Sequence, residues 1–234
     1  MFTRTEDLSW PKKWLDEEQI SQLKTVIADC FIGISSDDYY QKYFANTSMF
    51  KRDLRLFYAH NQIVGYCLFA YQKAGNAVVA RASAGFYPDY RHGGNTLVFT
   101  MKQSIKYWLC HPWQRIYFAD TMLSPAMYRA IAKRAGITYP SIDYPVQHSE
   151  LFSEFNQGGE ISTLTKTQCL VDTGRKTQYS KDEIASLRAS TKPEIAFYCK
   201  VNLEFTEGKA LFVIMPISLK QLFKTILKVF KRPA

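Results

Sequence analysis

Apolar residues recur at helical spacing near the start of the chain. Ile20, Leu23, Ile27 and Phe31 are three or four residues apart, which predicts an amphipathic helix over 16–33. The acidic residues at its start suit the positive end of the helix dipole, and the glycine at its end can stop it. A second, shorter helix is predicted near 35–44.

Three consecutive β-strands are predicted next, because short apolar runs alternate with turn residues. The runs over 54–59 and 63–71 flank His60–Asn61 and predict a hairpin. A third run over 76–86 would extend the hairpin to an antiparallel meander.

A helix–strand–helix pattern follows the meander. Apolar residues have helical spacing over 96–108, the run over 115–122 is typical of a buried strand, and 125–136 predicts a helix with Pro125 in its first turn. A helix between two strands suggests a parallel crossover. The sequence therefore predicts an α/β (α+β) chain with a mixed, mostly antiparallel sheet flanked by helices.

The patterns beyond residue 139 are weaker. They predict strands near 168–172, 194–203 and 210–215 and a helix near 181–189, all of which could extend the same sheet. We expect a core domain over 1–145 and a C-terminal extension over 146–234. This extension would complete the sheet, or it would cover the side of the core domain where an acceptor molecule would bind.

The chain closes with an amphipathic, basic segment that allows two interpretations. It could lie on an anionic membrane surface, or it could pack its apolar face on the domain and leave its lysines in solvent. Packing is slightly favoured because most amphipathic helices in soluble chains pack in this way. The apolar stripe consists of Leu219, Leu222, Phe223, Ile226, Leu227 and Phe230.

Composition narrows the classes of function. Of the 234 residues, 47% are apolar, enough for a packed core, and the net charge of +9 suggests an acidic partner. The five cysteines and four histidines are scattered without CxxC or HxxxH spacing, which predicts no disulfide frame and no metal site. Residues 51–55 are basic without interleaved aromatics, so specific nucleic-acid binding rests on charge alone.

The N-terminal residues include charges and a proline where a signal peptide needs an apolar run. No uninterrupted apolar stretch reaches the ~20 residues of a membrane-spanning helix. We therefore expect a cytoplasmic protein, with peripheral membrane contact through the C-terminal segment as an open alternative.

The stretch FYPDYRHGGNTLVFTM, over 86–101, contains the main candidate for chemistry. It would join the third predicted strand to a helix through Gly93 and Gly94, with Arg91 beside them. Unpaired amides at a helix N-terminus, close backbone approach and an arginine make an anion site. Taken alone, the pattern is more often an ordinary turn.

RHGGNT also resembles the phosphate-binding loop of the GNAT superfamily of N-acetyltransferases. That loop has the pattern Gln/Arg-x-x-Gly-x-Gly/Ala and joins strand four to helix three. Arg91 and Gly94 match it, whereas Thr96 departs from it. The resemblance covers about 16–139 and implies a GNAT-like fold that binds acetyl-CoA or acyl-CoA. The residues it implies for cofactor binding are Phe86, Tyr87, Pro88, Arg91, His92, Gly93, Gly94, Asn95 and Thr96.

The resemblance further implies acyl transfer from acyl-CoA to an amine acceptor that the sequence does not identify. Tyr128 lies near the position of the tyrosine that protonates the departing thiolate in the family, although it could equally be a half-buried packing residue. Thr121 stands where an asparagine is usual. Asp120 is a weak candidate for general base, with capping, solvent exposure or a water chain as alternatives. Amides over 87–90 could stabilise the thioester oxygen.

These departures keep a second hypothesis open. The chain could be a non-catalytic, GNAT-like CoA-binding module or a membrane-associated adaptor or effector.

Overall fold

The structure is a computed structural model, and it describes residues 2–31, 33–90, 95–144, 148–173 and 179–230. The chain divides into two compact units, Met1–Gln114 and Arg115–Ala234. Each unit is described separately. The functional division expected at residue 145 stays a prediction.

The described residues of the first unit form four strands and three helices. Each strand pairs antiparallel with the next, in the order β1-β2-β3-β4. In chain order the elements are β1 (Arg4–Trp10), α1 (Glu17–Cys30), α2 (Ser36–Tyr43), β2 (Met49–Ala59), β3 (Gln62–Ala74), β4 (Ala77–Phe86) and α3 (Thr96–Cys110).

The local signals in this unit act as the sequence predicts. Asp16 and Gln19 form a capping box at the start of α1, in which the Gln19 amide donates to Asp16 Oδ1 at 2.7 Å. His60 and Asn61 both have positive φ, 49° and 65°, as a type I′ turn requires, so the predicted hairpin is confirmed. Leu23 of α1 is buried in the core that this helix forms with one face of the strands.

Strand β1 was not predicted, because its sequence RTEDLSW has the polarity of a loop. Among its side chains only that of Leu8 is fully buried. The strand exists because its backbone pairs with β2 over seven residues, from Arg4 opposite Tyr58 to Trp10 opposite Arg52. An edge strand needs little apolar surface, and charged side chains there oppose edge-to-edge aggregation. As a result, the strand before α3 is the fourth of the chain.

The second unit consists of three strands and five helices in its described part. Strand β7 lies between β5 and β6 and is antiparallel to both. The elements are β5 (Arg115–Met122), α4 (Pro125–Ala132), α5 (Ser149–Phe155), β6 (Leu170–Asp172), α6 (Lys181–Arg188), α7 (Pro193–Val201), β7 (Lys209–Pro216) and α8 (Leu219–Phe230). The predicted class, mixed α/β with mostly antiparallel strands, is confirmed.

The strand predicted near 194–203 is wrong, because this segment is helix α7. Its side chains are buried on most sides, so the apolar run carries no helical period, and Pro193 in the first turn was the remaining helix signal. Helix α5 was also missed. It is only seven residues long and places Leu151, Phe152 and Phe155 in the core.

The C-terminal helix α8 reverses the favoured expectation about which face packs. Its polar side chains contact the segment at and after the end of α4, over 132–137, whereas most of its apolar stripe is exposed. Phe223 is 63% exposed and Phe230 is 82% exposed. The prediction that the apolar face packs is therefore wrong, and of the lysines in α8 Lys220 is exposed whereas Lys224 and Lys228 are half-buried.

Candidate functional site

The candidate cofactor site lies at the connection between β4 and α3. Strand β4 ends at Phe86, a short 3-10 turn spans Pro88–Tyr90, and α3 begins at Thr96. The central residues of the predicted loop, 91–94, lie outside the described residues. The two flanks of the loop are described.

The end of β4 is held in place by contacts with two other elements. The Cys30 thiol donates to the Phe86 carbonyl at 3.2 Å, and the Tyr87 amide donates to the Val64 carbonyl at 3.1 Å. The Phe86 ring lies over Gly65, where a Cβ atom would come within 2.1 Å of the ring. Only glycine allows this close approach, so the position of Phe86 is fixed.

The amides expected to receive a thioester oxygen are partly occupied. The Tyr87 amide is bonded to β3, the Tyr90 amide donates to the Tyr87 carbonyl at 2.9 Å, and Pro88 has no N–H. Of the backbone donors over 87–90, this leaves that of Asp89.

The N-terminus of α3 has the features of an anion site. Asn95 caps the helix through a hydrogen bond from the Val98 amide to its Oδ1 atom at 3.3 Å. Other first-turn amides have no partner within the helix. The first turn of α3 contains no acidic residue, whereas α1 begins with Glu17 and Glu18. The positive end of the α3 dipole is therefore not neutralised by its own turn.

Asp120 lies in β5, opposite Val213 of β7, and is half-buried. Its Oδ1 atom accepts a hydrogen bond from the Thr121 amide at 2.8 Å. The carboxylate is thus partly engaged by its own backbone. A role as general base stays a prediction.

Tyr128 is buried inside the second unit. Helix α4 begins with Ser124 as N-cap and Pro125 in its first turn, and this placement directs Tyr128 inward, where only 1% of it is exposed. Its hydroxyl donates to the Pro140 carbonyl at 3.0 Å, and its ring centroid lies 6.0 Å from that of Phe197. Burial raises the pKa of Tyr128 well above its ordinary value. This geometry favours packing, and the predicted role as general acid stays a prediction.

A cleft of about 300 Å³ in the first unit was not predicted from the sequence. Arg52 is almost fully buried in its wall, with its guanidinium carbon 4.7 Å from the Trp10 ring centroid. Its Nη2 atom donates to the Asn46 carbonyl, while its Nε atom is buried without a hydrogen-bond partner. Burial lowers the pKa of Arg52. The residues that line the cleft are Trp10, Trp14, Tyr40, Phe44, Ala45, Thr47 and Arg52.

This cleft is separate from the β4–α3 connection. Phe86 pairs with Gly65, and Gly65 pairs with Phe57 of β2. Arg52 lies five residues from Phe57 along β2, or ~17 Å at the usual rise of a strand. The cleft therefore belongs to the opposite end of the first unit's strands.

Within the described residues, no group of three His, Cys, Asp or Glu side chains is placed to hold a metal ion. In the same part of the chain, none of the helices has the length and apolar character needed to cross a membrane.

No protein-family model and no curated protein matches the sequence. Among solved structures, the chain is similar to ribosomal-protein-S18-alanine N-acetyltransferase from Escherichia coli, with 9% identity over 92% of this chain and 96% of that chain and a TM-score of 0.38. It is similar to an aminoglycoside 6'-N-acetyltransferase complexed with coenzyme A, with 10% identity, coverage of 92% and 97%, and a TM-score of 0.41. It is also similar to a GNAT-like decarboxylase in complex with isobutyryl-CoA, with 8% identity over 92% of this chain and 99% of that chain and a TM-score of 0.42.

A remote GNAT-like resemblance is thus found among solved structures as well as in the sequence. These TM-scores are below 0.5, so the function of this chain does not follow from that of the similar structures.

Proposed function

We propose that this protein is an acyltransferase that binds acetyl-CoA or a longer acyl-CoA and transfers the acyl group to an amine. The observation that carries the proposal is the β4–α3 connection. The GNAT loop pattern joins strand four to helix three, and the stretch RHGGNT stands between the fourth strand and the third helix of this chain. The sequence alone predicts only three strands before this stretch, and β1 is the additional one.

The flanks of the loop suit a pyrophosphate. The α3 N-terminus offers unpartnered amides and carries no acidic side chain, while the sequence supplies Arg91 and two glycines for close approach. Phe86 is fixed by Cys30 and Gly65, so β4 presents a rigid end to the loop. An ordered strand end is what a cofactor arm needs for positioning.

The reaction requires little covalent help from the protein. The amine nitrogen attacks the thioester carbonyl, the C–N bond forms, and the C–S bond breaks as the CoA thiolate departs. The amine loses one proton and the thiolate gains one. In this proposal the backbone amide of Asp89 donates a hydrogen bond to the developing oxyanion, because the other amides over 87–90 are already bonded or absent.

Tyr128 is the proposed proton donor and Asp120 the proposed base, and both assignments carry a structural condition. The Tyr128 hydroxyl would have to exchange the Pro140 carbonyl for the thiolate, and Asp120 would have to accept a proton while it holds the Thr121 amide. Water in place of Asp120 satisfies the same chemistry.

A second candidate function is CoA binding without catalysis, as in an adaptor. The observation that favours it is the engagement of the Tyr128 hydroxyl in a buried hydrogen bond. A module that only binds CoA needs the loop and the α3 N-terminus but no proton donor.

The proposal is tested by calorimetric titration of the purified protein with acetyl-CoA and with free CoA. A Gly94→Arg variant should weaken binding by about tenfold or more, because a large side chain would fill the space that the phosphates need. The matched control is Asn76→Arg, which adds the same charge at an exposed turn before β4. The control should bind like the parent.

Saturable binding that Gly94→Arg loses and Asn76→Arg keeps would support the loop as the cofactor site. Turnover with a panel of amines would then support acyl transfer, and binding without turnover on any amine would support the second candidate. The absence of both heat and thermal stabilisation with either ligand would overturn both functions.

A further inference from the structure

Helix α8 contacts the second unit through its polar face. Gln221 exchanges two hydrogen bonds with the backbone of Ile137, at 2.7 and 3.0 Å, and Thr225 Oγ1 accepts from the Gly136 amide at 3.0 Å. One turn further along, Lys228 Nζ donates to the carbonyls of Ala132 and Ala135 at 2.9 and 3.0 Å. The Ala132 carbonyl is at the C-terminal end of α4 and the Ala135 carbonyl lies just beyond it, where an ammonium group is favourable.

The opposite face of α8 is apolar and exposed. Five of the six residues of the apolar stripe, at i, i+4, i+7, i+8 and i+11, are exposed along one face, and Leu222 is half-buried beside them. Exposed fractions along it are 64% for Leu219, 63% for Phe223, 43% for Ile226, 40% for Leu227 and 82% for Phe230. Single exposed apolar residues are ordinary on a protein surface, whereas a continuous stripe of five large ones marks an interaction surface.

The charged residues of α8 are all positive. Helix α8 contains Lys220, Lys224 and Lys228 and no acidic residue. Lys220 is exposed, whereas Lys224 donates to the Tyr144 hydroxyl at 2.5 Å and Lys228 donates to the two carbonyls named above. None of these three lysines forms an ion pair in the described part of the chain. The positive charge of the helix is therefore not neutralised by a carboxylate, and Lys220 can face an external anionic partner.

We propose that the exposed face of α8 docks on an anionic membrane surface, with the stripe inserted at the level of the lipid headgroups. A helix with an apolar face and flanking lysines has the chemistry of an interfacial anchor. The helix can lie on the membrane without leaving the protein, because its polar face already holds it to α4. This inference does not depend on acyl transfer.

A second copy of this chain is the competing occupant of the stripe. A two-fold dimer through the stripe would bring together two helices that carry only positive charges, with the exposed Lys220 of each beside the contact. Like charges oppose that arrangement, whereas anionic lipid headgroups neutralise them. The charge pattern therefore favours a membrane.

The test is co-sedimentation of the full chain with vesicles of 70% phosphatidylcholine and 30% phosphatidylserine, and with vesicles of phosphatidylcholine alone. We expect binding to the anionic vesicles that weakens as salt is raised. A Phe223→Glu variant should lower the partition by about tenfold or more. The matched control is Leu203→Glu, because Leu203 is 65% exposed and lies outside α8.

Thermal unfolding of both variants should match that of the parent, since neither side chain is packed. Binding by the parent and by Leu203→Glu, together with loss in Phe223→Glu, supports the proposal. Lack of binding by the parent overturns it, as does equal binding by Phe223→Glu. Sedimentation of a parent dimer that Phe223→Glu dissociates, without vesicle binding, would assign the stripe to self-association instead.

Discussion

The amide of Gly136 donates to the hydroxyl of Thr225 at 3.0 Å, and the backbone of α8 passes so close that position 136 has no room for a side chain. A Cβ atom there would lie 2.5 Å from both the Thr225 amide nitrogen and the Lys224 Cβ atom. Helix α8 is therefore fitted to a glycine.

Replacing this glycine should displace α8. Gly136→Ala places a methyl group against backbone that cannot move without the helix, so we expect the free energy of unfolding to fall by about 1–3 kcal/mol. Urea unfolding measures this loss. Thr225→Val, which keeps the shape and removes the acceptor of the Gly136 amide, should cost about 1 kcal/mol. A Gly136→Ala variant as stable as the parent would contradict the close fit.

Substitutions of Asn95 distinguish its structural role as the cap of α3 from the proposed role of this helix N-terminus in binding CoA. Asp at this position caps a helix as well as Asn does, so Asn95→Asp should leave the free energy of unfolding unchanged to within about 0.5 kcal/mol. The added negative charge at the proposed phosphate site should weaken CoA binding by about tenfold or more. Unfolding and calorimetric titration of the same preparation check both outcomes.

The matched control is Asn95→Ala, which removes the cap without adding charge. It should lower the free energy of unfolding by about 1 kcal/mol and reduce CoA binding less than Asn95→Asp does. If Asn95→Asp binds CoA like the parent, the cofactor phosphates do not lie at this helix.

Tyr128→Phe tests the proposed proton donor. Removing the hydroxyl leaves the Pro140 carbonyl without its donor, so the free energy of unfolding should fall by about 1 kcal/mol. Tyr198→Phe is the control, because the Tyr198 hydroxyl also makes a buried bond to a carbonyl, that of Met122, at 2.8 Å. If Tyr128 donates a proton in the reaction, kcat falls by ~100-fold or more for Tyr128→Phe alone. Equal kcat values for the two variants would make Tyr128 a packing residue.

Alkaline pH should destabilise the protein in part through Cys67. Burial raises the pKa of Cys67 from 9.0 to about 12, so its thiol stays neutral in the folded chain where an unfolded thiol ionises. Its contribution is therefore complete below pH 9 and is lost as the pH rises towards 12. Across that window the free energy of unfolding should fall by up to about 1.4 kcal/mol per pH unit because of this group.

Urea unfolding between pH 8 and 11 measures that slope. Cys67→Ala should flatten it, whereas alanine at the exposed Cys110 should not. Equal slopes for the parent and Cys67→Ala would show that the thiol does not ionise differently in the two states.

Local sequence signals were sufficient for most of the elements. The capping box at Asp16, the two-residue turn at His60–Asn61 and Pro125 each act within a few residues, so their effect is readable without the fold. Strand β1 and helix α7 could not be predicted from such local signals. The first is created by pairing with β2, and the second is buried on most sides, so tertiary contacts decide both.

The candidate site was predictable only in part, for the same reason. The glycines and Arg91 form a local pattern, and the position of the loop in the element order became clear once β1 was counted. The hydroxyl of Tyr128 bonds to Pro140 and its ring contacts Phe197, so its burial could not be derived from spacing. The bond between Asp120 and the Thr121 amide is local, but the burial of Asp120 depends on the pairing of β5 with β7. The unpartnered Nε atom of Arg52 is likewise a product of packing alone.

The polar anchoring of α8 has a consequence for how the sequence can change over evolutionary time. Gln221, Thr225 and Lys228 hold the helix in place, so the five residues of its outer stripe bear little of the folding requirement. Mutations in the stripe can therefore raise or lower surface adhesion in small steps while the fold persists. In most amphipathic helices the apolar side chains are packed in the core, so the same mutations would destabilise the fold. Selection can thus change the apolar character of the exposed stripe of α8 with little effect on the stability of the fold.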